Sequence, residues 1–74
     1  MSSKFKELLA IALSITSGCD ICIKFHLRRA IEKGASEKEV AELLGVVVLM
    51  NGAPSDVWPR KIIQDELKKI KKDK

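Results

Sequence analysis

Read as a pattern of apolar and polar positions, the chain divides into four helical stretches and shows no period-two alternation. Phe5, Leu8, Leu9, Ala12, Leu13 and Ile15 recur at the spacing of a wide helix face. Ser2 or Ser3 is placed to cap this helix, and the pattern lasts to about Ser17. Glu7 falls on the opposite side with Lys4 and Ser14, flanked there by Ala10 and Ile11. Over two turns the helix is therefore apolar nearly all round, which predicts contact on both sides. In so short a chain, the second contact is expected to be another subunit.

Gly18 breaks the pattern. A second helix is predicted from Cys19 or Asp20 to Lys33, with Asp20 at the favourable end of the dipole and Gly34 as a left-handed cap. Ser36-Glu37-Lys38-Glu39 has the form of a capping box. It opens a third helix whose core face is Val40, Leu43, Leu44 and Val47. The run Val46 to Met50 alone would pass for a buried strand, but the cap and the unbroken spacing make it helical. Asn51-Gly52-Ala53-Pro54 ends that helix in a turn. Ser55 or Asp56 is expected to cap the last helix, with Pro59 fitting only in its first turn. Ile62, Ile63, Leu67 and Ile70 line its apolar face, and Asp65 and Lys69 are spaced to pair on the other. The expected fold class is all-α: four helices with short connections, in one domain covering residues 1–74.

Composition refines this picture in three ways. With 74 residues, of which 46% are hydrophobic and 32% charged, the chain is globular rather than disordered. A domain of this size buries only about 60–65% of its unfolded surface, so a disulfide, a metal or self-association is expected to supplement the core. The net charge of +4 is concentrated at the end, where Lys68, Lys69, Lys71, Lys72 and Lys74 form a solvated helix terminus. The body is almost neutral and aromatics are scarce, so no nucleic-acid partner is expected.

No apolar run reaches the roughly 18 residues of a membrane span, and no membrane partner is expected. Lys4 and Lys6 ahead of Leu8 to Leu13 resemble a short secretory signal, even a lipoprotein signal ending at Cys19. Glu7 interrupts its start, and Thr16 stands where such signals carry an aliphatic residue. Cleavage would also delete one of four helices. The chain is therefore read as mature and cytoplasmic, where two cysteines in CxxC spacing point to catalysis or metal binding rather than a structural staple.

The candidate chemistry lies in Ser17 to His26, which holds both cysteines and the only histidine. On a helix starting near Cys19, Cys22 lies at i+3 and His26 at i+4 from Cys22, so all three share one stripe. The helix start lowers a cysteine's pKa, and His26 is placed to exchange a proton with Cys22. Cys19, at the boundary, can approach Cys22 closely enough for a disulfide. This favours a thiol redox site. Zinc held by Cys19, Cys22 and His26 is a second reading, with a fourth ligand from a carboxylate or another subunit. Two small buried hydrophobes and a solvated histidine make a third, which suits the composition but not the spacing. A c-type haem site is excluded by Ile23 after the second cysteine. A thioredoxin-like domain lacks its strand. No cofactor is called for.

Further residues carry a family resemblance. Glu7-Leu8-Leu9-Ala10-Ile11-Ala12-Leu13-Ser14 precedes Cys19-x-x-Cys22 and His26, followed by Ala30, Gly34-Ala35-Ser36, Glu39 and Asn51-Gly52-Ala53-Pro54. Over roughly residues 5 to 55 this resembles the alkylhydroperoxidase D-like (AhpD-like) branch of the carboxymuconolactone decarboxylase family. The resemblance implies an all-helical fold assembling as a homo-oligomer, a trimer or hexamer. It implies an antioxidant, peroxiredoxin-type oxidoreductase that reduces a hydroperoxide or a disulfide, with a lipoyl or thioredoxin-like electron donor. Cys22 would attack the peroxide and Cys19 would resolve the sulfenic acid. His26 and Glu7 would relay protons. Taken without the family, Glu7 is a surface carboxylate near Lys4. The best-studied branch has histidine before the second cysteine where this chain has Ile21, so a simpler relay or weaker peroxidase activity is expected. Lactone decarboxylation is not expected, because that branch generally lacks the cysteine pair.

Overall fold

The computed structural model describes residues 1–73 and contains four α-helices: α1 (Ser3–Thr16), α2 (Asp20–Glu32), α3 (Glu37–Asn51) and α4 (Pro54–Asp73). There is no strand among the described residues. Helix α2 packs against both α1 and α4, and α3 closes the other side against α4 and α1. The shared core is aliphatic: Ile11 and Ile15 of α1, Ile23, Leu27 and Ala30 of α2, Val40, Leu44 and Val47 of α3, and Ile63 and Ile70 of α4.

Local signals set the helix ends. Ser2 caps α1, its Oγ accepting the Phe5 N–H at 3.1 Å. At the other end Gly18 turns left-handed, with φ of 73°. Its N–H donates to the Ile15 carbonyl at 3.1 Å, while the Cys19 N–H donates to Ser14 at 2.9 Å. This paired closure of a helix end requires positive φ, which glycine adopts without a side-chain clash. The same pattern closes α2 around Gly34. Ser36 and Glu39 form the expected capping box, with bonds of 3.1 and 2.9 Å between each side chain and the other's N–H.

Helix α1 turns outward the Phe5, Leu9 and Leu13 side of its predicted apolar face, and only Ile15 of that face is fully buried. Its buried residues are Glu7, Ile11, Ser14 and Ile15, a stripe at i, i+4, i+7 and i+8. Phe5, Leu9 and Leu13 are exposed, and Leu8 and Ala12 are half-buried at the boundary. With apolar side chains on both sides, patterning alone favours the wider face. What turns Glu7 inward is the pair of α2 side chains that it meets, Arg29 and His26, described below. Lys4 does not meet Glu7: its Nζ lies 3.1 Å from Glu39 of α3.

Helix α4 also departs from its sequence reading. It starts at Pro54, ahead of the expected caps Ser55 and Asp56, so Pro59 sits beyond the first turn. Proline at the first helical position gives up an N–H that has no partner there. The N–H groups of Ser55 and Asp56 fold back onto the carbonyls of Gly52 and Ala53, at 3.1 and 3.0 Å. Pro59 lacks the N–H that would reach the Ser55 carbonyl, and its fully buried ring offsets that loss with packing. Asp65 pairs with Lys61 at 3.5 Å rather than with Lys69. Ile63 and Ile70 are buried as expected, but Glu66 lies among them at 5% exposure, its carboxylate bound by Arg28 Nε of α2.

The turn at Gly18 yields a stability test. A Cβ there would meet no atom within 4 Å, so Gly18→Ala isolates the cost of a left-handed backbone. It is expected to destabilise the fold by about 1–2 kcal/mol in urea unfolding. Gly45, inside α3 with equal room, is the counterpart: Gly45→Ala is expected to stabilise by about 0.5–1 kcal/mol. A neutral Gly18→Ala would show that the turn does not need its glycine.

Candidate active site

The closure of α1 determines where the first cysteine sits. Because the Cys19 N–H is tied back to Ser14, Cys19 becomes the N-cap of α2, with an extended backbone (φ −102°, ψ 99°). Its Sγ accepts the Cys22 N–H at 3.2 Å. Cys19 and Cys22 are joined in a disulfide with their Cα atoms 5.3 Å apart. Both are half-buried, while Ile21 between them is exposed. A sulfur capping a helix faces unpaired N–H groups and the positive end of the dipole, an environment that favours thiolate over thiol.

His26 follows one turn beyond Cys22 on the same stripe of α2. Its Nδ1 lies 2.8 Å from Glu7 Oε1, donating to the carboxylate across the α1–α2 contact. The second oxygen, Oε2, accepts from Arg29 Nε at 2.7 Å. The Glu7 side chain is 11% exposed, that of His26 30% and that of Arg29 46%. The Arg29 and His26 bonds hold the Glu7 carboxyl below its ordinary value, the arginine acting more strongly. Reciprocally, Glu7 raises the Arg29 pKa. The buried carboxylate is thus ionised and oriented at neutral pH.

Phe25 completes the surroundings. Its ring meets the His26 ring edge-on, with centroids 5.1 Å apart, and the Arg29 guanidinium lies over its face at 5.4 Å. The structure therefore brings Glu7 to His26 and places the cysteine pair one turn away. Arg29 was not singled out in the sequence reading, though a signal existed. It stands at i+3 from His26 and i+7 from Cys22, on the stripe that carries the other candidates.

Three of the four candidate residues lie on or cap one helix, and the fourth, Glu7, reaches His26 from α1. In the disulfide state neither sulfur is a thiolate, so cation binding at Cys19, Cys22 and His26 would require the dithiol. Among the described residues no cluster of three histidine, cysteine or acidic side chains is arranged to hold a metal ion. No helix is long and apolar enough to cross a membrane among those residues.

These features define an all-helical protein with a CxxC disulfide at a helix start, backed by a histidine–carboxylate pair. Its lineage agrees: the profile of the carboxymuconolactone decarboxylase family matches residues 1–65, and the chain belongs to that family. An uncharacterized protein of Cupriavidus necator is 36% identical over 58 residues, covering 78% of this chain and 51% of that protein. Proteins named alkyl hydroperoxide reductase AhpD, from Anaeromyxobacter sp. and Anaeromyxobacter dehalogenans, are each 32% identical over 47 residues. Those matches cover 64% of this chain and 25% of each relative. The chain thus spans about half the length of the first relative and a quarter of the other two. No solved structure matches it significantly.

The bonds that Glu7 accepts from Arg29 and His26 have a consequence for acid stability. A carboxyl held below its ordinary value of 4.5 adds stability above that pH and loses it as the pH falls through the folded-state value. Between about pH 5 and about pH 3, the wild type is expected to lose more unfolding free energy than Glu7→Gln, which has no proton to take up. Equal losses in urea unfolding at the two pH values would show that Glu7 is not held as described.

Proposed function

We propose that the chain is a thiol-dependent peroxidase that reduces hydroperoxides through a cycle between the Cys19/Cys22 dithiol and the disulfide. The observation that carries this reading is the disulfide at the start of α2 with the Glu7–His26 pair one turn away. The names of the Anaeromyxobacter relatives support it. The Cys22 thiolate attacks the terminal peroxide oxygen; the O–O bond breaks and the alkoxide leaves, taking up a proton as the alcohol. Cys22 is now a sulfenic acid. Cys19 attacks its sulfur, the S–O bond breaks, and water leaves as the disulfide forms. His26, with Nδ1–H donated to Glu7, offers Nε2 for the protons that move in these two steps. Two electrons from a dithiol donor, lipoyl or thioredoxin-like, restore the pair. If the donor attacks Cys22, Cys19 leaves as a thiolate already facing the Cys22 N–H.

That last feature also favours a second reading, a disulfide oxidoreductase without peroxidase activity, since it eases disulfide exchange whatever the oxidant. Variants separate the two. Cys19→Ser is expected to form a Cys22 sulfenic acid that cannot close to a disulfide, trapped by a dimedone-type reagent. Cys22→Ser is expected to consume peroxide at background, and His26→Ala to slow the attack about 10²-fold. Turnover retained in Cys22→Ser and lost in Cys19→Ser would reverse the two roles. A wild type that cycles its disulfide but consumes no peroxide with any dithiol would leave the oxidoreductase.

The same reading includes assembly. Phe5 and Leu9 are exposed on α1 and line a groove of about 450 Å³ with Leu8, Ala12, Leu43 and Val46. Burying that surface in a trimer or hexamer would supply the second contact that the apolar pattern calls for. Sedimentation at micromolar concentration is expected to show no folded monomer, and a compact species near 8.2 kDa would exclude assembly.

A further inference from the structure

We propose that Arg29 is a positioning residue for the proton relay: by holding Glu7 Oε2 it fixes the carboxylate that fixes the His26 tautomer. This rests on the proposed peroxidase chemistry for its consequence but not for its geometry. A neutral imidazole carries one proton and two nitrogens, and only the unprotonated nitrogen can accept a proton from a thiol. Which nitrogen that is depends on the partner of the other. Here Nδ1 faces Glu7 Oε1 at 2.8 Å, so a carboxylate there keeps the proton on Nδ1 and leaves Nε2 as the acceptor.

Glu7 can do this only if it stays ionised and does not rotate. Arg29 secures both, because its Nε occupies Oε2 at 2.7 Å and leaves Oε1 alone to meet His26. The guanidinium is itself held, lying over the face of Phe25 at 5.4 Å. Phe25 in turn packs edge-on against His26 at 5.1 Å. The four side chains close a circuit: Glu7 to His26, His26 to Phe25, Phe25 to Arg29, and Arg29 back to Glu7. Other charged groups nearby are engaged elsewhere. Lys4 meets Glu39, and Arg28 meets Glu66. Glu32 adds a further favourable field at Arg29. Arginine thereby supplies the counter-charge that a buried carboxylate needs, and the histidine does not have to.

The test reads the tautomer directly. With the His26 ring labelled with ¹⁵N, spectra of the disulfide form at about pH 8, above the ordinary histidine range, are expected to show the Nδ1–H tautomer in the wild type. Arg29→Gln is expected to shift the ratio toward Nε2–H and to slow peroxide-driven disulfide formation about 10-fold, less than the loss of the whole acid–base group. Arg29→Lys, which keeps a cationic donor, is expected to retain the Nδ1–H form and most of the rate. Arg29→Gln with the wild-type tautomer overturns the proposal. So does Arg29→Lys as impaired as Arg29→Gln, since the side chain would then act by filling space beside Phe25. If Arg29→Gln does not fold, Arg29→Lys is read against the wild type: loss of the Nδ1–H form, or a rate about 10-fold lower, overturns the proposal. A wild type that consumes no peroxide defeats the proposed activity and leaves the tautomer measurement valid.

Discussion

The grip of two α2 side chains, Arg29 and His26, on the carboxylate of Glu7 is the constraint from which the rest of the arrangement follows. An ionised carboxylate leaves water only when a counter-charge and hydrogen-bond donors replace its hydration. Arg29 and His26 provide those donors, one to each oxygen. Meeting them requires α1 to turn its Glu7 side toward α2, which carries Ile11 and Ile15 into the core. The same rotation leaves Phe5, Leu9 and Leu13 on the outside. One ion-pair cluster thus decides which face of α1 is inside, which is exposed, and where the carboxylate of the candidate site lies.

A second constraint, covalent and local, places the sulfurs. The closure of α1 at Gly18 leaves no free linker: the residue after the glycine is both the last hydrogen-bonded position of one helix and the cap of the next. Cys19 therefore cannot drift from the start of α2, and Cys22 stands one turn further along. The disulfide and the Glu7–His26 pair are set by different interactions, one by backbone closure and one by side-chain charge. They meet because both use the same turn and the same helix.

Most of the backbone was legible in the sequence, because helix ends are written locally. Ser2, Gly18, Gly34 and the Ser36–Glu39 box each act through neighbours within a few residues, and each stands where its residue type predicts. The grouping of Cys19, Cys22 and His26 was legible for the same reason, since one helix carries it. What failed was non-local or ambiguous. Glu7 looked like a surface residue because its partners are 19 and 22 positions away. Only the family resemblance selected it. Glu66 went unnoticed on the apolar face of α4 because its partner, Arg28, lies 38 positions away. Pro59 was placed too early because the helix begins at Pro54, one step before the residues that looked like caps. Apolar periodicity can identify a helix, yet with apolar residues all round it cannot choose the face.

The two carboxylates that grip α2 can be compared with each other. Glu66 lies deeper than Glu7, at 5% against 9% exposure, and binds Arg28 on the side of α2 facing α4. Well-packed apolar residues often replace buried ion pairs with little loss of stability, so core formation alone demands neither. At Glu66 the pair joins α2 to α4. At Glu7 one oxygen, Oε1, is committed to the single histidine of the chain, one turn from the disulfide. A leucine at position 7 could satisfy the apolar neighbours Leu8 and Ile11, but it could not hold a proton on Nδ1. The placement of Glu7 is therefore accounted for more fully by the orientation of His26 than by the packing of α1, and stability and the proposed proton transfer draw on one cluster of side chains.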